Sequence, residues 1–234
     1  MKLRNALLPL AGTLALMALC TALPFFWFAL RDRQLDGAVQ TAAARPEFLS
    51  AAGWEDPVAR ELYYWRERSD GVPSYDAGGP VDAAAARQTV LPGLQALRGA
   101  GVLPDAMQTA AEELVAEAAE VTVSHPADGM TAYDFSAREE RFLRLWYSDG
   151  GALVQVNGNV GGGDGFDPAA AAAAYRTMLG LDDFTDWEDA APRGYGDPAP
   201  LYSADAQLYL VANIDRGYFN LSVTSVSPEA YAEF

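Results

Sequence analysis

Among its 234 residues the chain has one cysteine, one histidine and one lysine. Cys20 lies inside a hydrophobic run, so neither an intrachain disulfide nor a thiolate zinc cluster can form. A single His125 rules out histidine-based zinc sites and two-histidine catalysis. A Ser–His–Asp triad would depend on His125, but Ser124 is its direct neighbour and cannot oppose it in space. There is also no G-x-S-x-G elbow. His125-Pro-Ala-Asp-Gly129 reads as a turn between strands. Every basic residue other than Lys2 is arginine, and alanine is abundant, a bias that fits a GC-rich bacterial coding sequence.

Positive charge as a whole is scarce. The chain carries 32 acidic and 16 basic residues, a net charge of -16. Lys2, Arg4, Arg31, Asp32 and Arg33 cluster near the N-terminus. Without them 31 acidic and 12 basic residues remain, a net of -19 from Gln34 onward. Such a surface repels phosphate backbones, which argues against nucleic acid as a partner. It also disfavours lying flat on anionic lipid headgroups.

What the chain has instead is a 25-residue uncharged run, Ala6 to Leu30. About 20 apolar residues suffice for a helix to cross a bilayer. Phe25, Phe26, Trp27 and Phe28 extend the run past any small-x-small site near Thr21–Ala22, so it reads as an uncleaved signal anchor. Trp27 suits the headgroup interface, and Leu19 is unlike the small residue that precedes a lipidated cysteine. Basic residues flank both ends almost equally. The short N-terminal tail therefore carries the expectation that the tail stays in the cytoplasm and the acidic domain lies outside. The expected organisation is a tail and membrane anchor over 1–33, a stalk over 34–53, and an extracytoplasmic domain over 54–234.

Half of the chain is hydrophobic and 11% aromatic, enough to build a core. Trp54 to Arg68 reads as an amphipathic helix with Pro57 in its first turn and Val58, Leu62 and Trp65 on one face. Ser69 to Pro80 reads as a loop. Asp82 caps a helix through Leu97, bent or broken at Pro92 and stopped by Gly99 and Gly101. Asp105 to Ala118 forms another, with Met107, Ala111, Leu114 and Ala118 in one stripe. Strands follow from Val121, over Met130–Phe135, and over Arg141–Tyr147. Asp149-Gly150-Gly151 then turns the chain back into Leu153–Val156. Trp146 and Tyr147 should point to opposite faces of their strand. Asp167 and Pro168 start a helix reaching Leu179. The final unit is a hairpin in which Leu208, Leu210, Ala212 and Ile214 alternate with polar or exposed positions, as do Phe219, Leu221 and Val223. The expected class is α+β: an N-terminal transmembrane helix, then an antiparallel sheet with helices packed on one face.

Few motifs carry chemistry. The stretch Asn157 to Asp167 lies between strand and helix but lacks the Lys-Ser/Thr pair of a phosphate loop. From Gly162 it resembles one copy of a calcium nonapeptide repeat, and such repeats work only when stacked. No catalytic, cofactor-binding or metal-binding residue is assigned. Asp182, Asp183, Asp186 and Trp187 form the candidate partner-contact surface, in a cluster where Leu181, Phe184 and Trp187 also have the spacing to pack inward. The function these features favour is a membrane-anchored, non-catalytic binding, accessory or sensory module of a bacterial envelope complex. It would contact the lipid bilayer through its N-terminal helix and another envelope protein through its domain. A tethered hydrolase using paired carboxylates on cell-wall polymers and a calcium-stabilised adhesion module are the alternatives.

Overall fold

The computed structural model describes residues 17, 19–25, 27, 49–69, 78–127, 129–137, 141–190 and 200–226. The chain divides into two compact units, Met1–Glu47 and Phe48–Phe234. In the first, residues 19–25 are helical, and most of the apolar run 6–30 lies outside the described residues. No helix among the described residues is long and apolar enough to cross a membrane. The second unit is α+β, with a nine-stranded antiparallel sheet and five α-helices among the described residues.

Where one amphipathic helix is expected from Trp54, two occur: α1 (Ala51–Glu55) and α2 (Pro57–Ser69). Proline disfavours helical backbone in the residue before it, and Asp56 is accordingly extended at ψ 125°. Its carboxylate then accepts from Ala59 N at 2.8 Å, capping α2. Val58, Leu62 and Trp65 are buried as their spacing requires. Ser50 caps α1 by accepting from Gly53 N, and its hydroxyl donates to Asp205 O at 2.8 Å.

Helix α3 (Ala83–Ala100) begins at the Asp82 cap and ends at Gly101, whose φ of 65° stops it. Pro92 lies inside it. Helix α4 (Asp105–Glu117) presents the expected stripe, with Met107, Ala111 and Leu114 buried and Ala118 buried just beyond its end. Three polar links lock the α3–α4 pair. Arg87 donates to the Val115 and Ala118 carbonyls, both at 2.8 Å, and so satisfies the open end of α4. Gln108 donates to Leu94 O, and Arg98 forks onto Glu112. Helix α5 (Pro168–Met178) is capped by Asp167, whose carboxylate accepts from Ala169 N and Ala170 N.

The strands are β1 (Gly79–Pro80), β2 (Glu120–Ala127), β3 (Met130–Ser136), β4 (Phe142–Ser148), β5 (Leu153–Asn159), β6 (Glu188–Asp189), β7 (Leu201–Ser203), β8 (Leu208–Asp215) and β9 (Tyr218–Thr224). Their order is β1-β2-β3-β4-β5-β9-β8-β7-β6, antiparallel throughout. Two meanders thus meet at their last strands, β5 and β9. The expected turn at His125-Pro126 is instead the end of β2. Pairing with β3 shifts register between Ser124 and Ala127, and that bulge accommodates a proline with no N–H to donate.

Register assigns the faces. Phe135, Leu143, Leu145, Val156, Phe219 and Leu221 share one face, where each is at most 1% exposed. Tyr147 belongs to the same face and reaches α3, while Trp146 points the other way, opposite Gln155. Gly158 on β5 leaves no room for a side chain, because a Cβ there would lie 2.3 Å from Phe142 O of β4.

Candidate functional site

A cavity of about 510 Å³ opens between α3, the end of α5 and the β4–β5 hairpin. That is within the usual range for small-ligand pockets. Helix α3 supplies Thr89, Pro92, Gly93 and Ala96 from one face of its middle turns. Strands β3 and β4 supply Tyr133 and Tyr147, and the hairpin turn supplies Ser148, Asp149 and Gly151. Leu153, Met178 and Leu179 make the apolar floor, with Val58 from α2.

Helix α3 runs unbroken through Pro92, which has no N–H for the Gln88 carbonyl four residues back, and Gly93 leaves a notch directly after it. The Tyr147 hydroxyl fills that notch and donates to Val90 O at 3.3 Å. A Cβ on Gly93 would lie 2.2 Å from that oxygen. Tyr133 meets Tyr147 edge-on, with ring centroids 5.9 Å apart at 83°. Burial, and secondarily Tyr133, pushes the Tyr147 phenol far above its ordinary value, so it stays protonated. Tyr175 fixes the floor: its fully buried hydroxyl donates to Leu153 O at 2.6 Å, tying α5 to β5.

The four acidic-cluster residues share a segment but not a role. Leu181 and Phe184 are buried, and Trp187 packs against the core with its Nε1–H donating to Leu181 O at 3.4 Å. Asp182 is exposed; Thr177 and then Arg176 hold its carboxyl below the ordinary value. Asp183 is exposed as well. Asp186 instead turns toward the β7–β8 turn, accepting from Ser203 Oγ at 2.6 Å and Asp205 N at 2.9 Å. Burial pushes its carboxyl up, but these hydrogen bonds together outweigh burial and hold it low. The structure therefore gives Asp186 an internal structural bond set, while Asp182 and Asp183 reach solvent.

On the sheet face opposite Phe135, Leu143 and Phe219, register lines up a transverse polar row: Thr122, Asp134, Arg144, Asn157, Asn220 and Asn213 on six successive strands. Arg144 and Asp134 are ion-paired. Asn157, only 5% exposed, accepts from Gln155 Nε2 at 3.2 Å and donates to the Tyr218 hydroxyl at 2.8 Å. No motif spacing marks this row, because its members come from separate strands. His125 is exposed, with Nδ1 3.3 Å from Thr131 Oγ1. Among the described residues no cluster of three or more His, Cys, Asp or Glu could hold a metal ion. No protein-family model, curated protein or solved structure matches the chain.

Proposed function

We propose that the chain is a membrane-tethered, non-catalytic binding module whose α+β domain lies outside the cytoplasmic membrane and takes a small ligand in the pocket beside Tyr147. The tether is the apolar run 6–30, with the bilayer as its partner, and a ligand-sensing domain on such a tether fits an accessory or sensory subunit of an envelope complex. The observation that carries the reading is the pocket itself. It combines an apolar floor with a few convergent polar groups, the usual build of a ligand site. Among the described residues its ionisable lining groups are Asp149 and two phenols, and Tyr147 stays protonated, which suits recognition better than proton transfer.

A fragment screen on the detergent-solubilised full chain, read by ligand-observed NMR, tests this reading. Ala96 is exposed at the pocket wall, so Ala96→Phe should fill the pocket without disturbing the core. The expected result is a set of fragments that bind the parent protein and are lost in the variant. Fragments that bind both forms equally, or none at all, would reject the pocket as the site.

A further inference from the structure

We propose that the ligand of this pocket is a small organic cation, an ammonium group carried on an apolar body. The inference rests on the pocket being the binding site and adds the class of ligand.

Four backbone donors around the hairpin turn are engaged: Ser148 N with Ala152 O, Asp149 N with Gly129 O, Gly151 N with Ser148 O, and Ala152 N with Ser148 Oγ. On the helix side the hydroxyl protons of Tyr147 and Thr89 go to the carbonyls of Val90 and Ala85. Among the lining side chains the Ser148 and Tyr133 hydroxyls are neutral donors, while the charged group is the Asp149 carboxylate. An anionic ligand would meet that carboxylate with no more than neutral hydroxyls to offset it, whereas a ligand that brings its own positive charge pairs with it.

Among the described residues no Lys, Arg or His lines the pocket, and Asp149 does. The Glu61 carboxylate lies against the same turn, since a Cβ on Gly150 would fall 2.1 Å from its Oε1. The whole chain carries -16, and a cleft on such a protein concentrates cations. The Tyr133–Tyr147 pair places aromatic rings in the same lining as Asp149, and the faces of aromatic rings attract ammonium groups.

A matched pair of probes separates charge from shape: choline and its neutral carbon isostere, 3,3-dimethylbutan-1-ol. Both are titrated into the full-length protein in detergent, for the parent, Asp149→Asn and Ala96→Phe. Asparagine is at home in a turn, so the first variant keeps the hairpin. Choline should bind several-fold tighter than the isostere, and Asp149→Asn should weaken choline about threefold while leaving the isostere unchanged. Ala96→Phe should abolish choline binding. If the isostere binds as tightly as choline and is displaced by Ala96→Phe, the pocket stands and the cation is overturned. If neither probe binds at the pocket, the cation is likewise overturned, and the fragment screen alone then decides the pocket.

Discussion

The hydroxyl of Tyr147 occupies the space where Gly93 has no side chain, and it bonds to the Val90 carbonyl, two residues before Pro92. Strand β4 and helix α3 are keyed together at that point, and the pocket opens beside it. Gly93→Ala would gain about 1 kcal/mol of helix propensity but forces a Cβ to 2.2 Å from the phenol oxygen. Overpacking of that kind costs roughly 1–3 kcal/mol, so the variant should be net destabilised. In a Tyr147→Phe background the nearest ring atoms would stand at 3.1 and 3.2 Å, and the same alanine should be nearly neutral. Urea unfolding of the four proteins measures the coupling. Equal costs in both backgrounds would show that the notch is not what holds the ring.

Asp186 predicts an acid-sensitive turn. Its folded value is held below the ordinary 3.8. Its contribution is therefore present at neutral pH and is lost as the pH falls below about 3.8 through the depressed folded value. Asp186→Asn replaces one accepting oxygen with a donor that faces Ser203 or Asp205. It should cost roughly 1–3 kcal/mol at pH 7 and flatten stability across that acid window. Asp56 runs with the opposite sign. Burial raises its carboxyl, so its charge weakens the fold at neutral pH and that cost fades on acidification. Asp56→Asn keeps a capping residue and should match or exceed the parent at pH 7. Thermal melts from pH 2 to 7 compare all three.

Ser50 ties the start of the domain to the far meander. Its hydroxyl both caps α1 and donates to Asp205 O, while Asp186 grips the same turn from the other side. Gly53 packs so closely there that a Cβ would lie 2.8 Å from Asp205 O. Ser50→Ala should cost about 1 kcal/mol and speed amide exchange in α1 and in residues 203–206 together. Faster exchange confined to α1 would mean that the Asp205 bond contributes nothing.

The parts of this fold legible in the sequence were those governed by local periodicity. The β8–β9 hairpin could be read because Leu208, Leu210 and Ala212 alternate with their neighbours, and Asp149-Gly150-Gly151 announced its turn. The Asp82, Asp167 and Gly101 caps carried chemistry that only a helix end needs. Strands β1, β6 and β7 escaped because two or three residues hold no period. The break at Asp56 escaped because the apolar stripe of α2 continues smoothly across Pro57. The pocket depends on Gly93 meeting Tyr147, 54 positions later, and the polar row on the register of six strands. Neither relationship leaves a spacing along the chain. The acidic cluster was visible as composition, but only tertiary structure separates inward Asp186 from outward Asp182 and Asp183.

The most direct test of the central claim is an amide correlation spectrum of the full-length protein, with a pocket-binding fragment titrated in. Binding between α3 and the hairpin predicts saturable shifts at Gly93 and Gly151, with the amides of β7 and β8 unmoved, and no response in Ala96→Phe. Saturable shifts centred on Asn157, Asn213 and Asn220, with Gly93 and Gly151 silent, would contradict it and move the binding surface to the opposite face of the sheet.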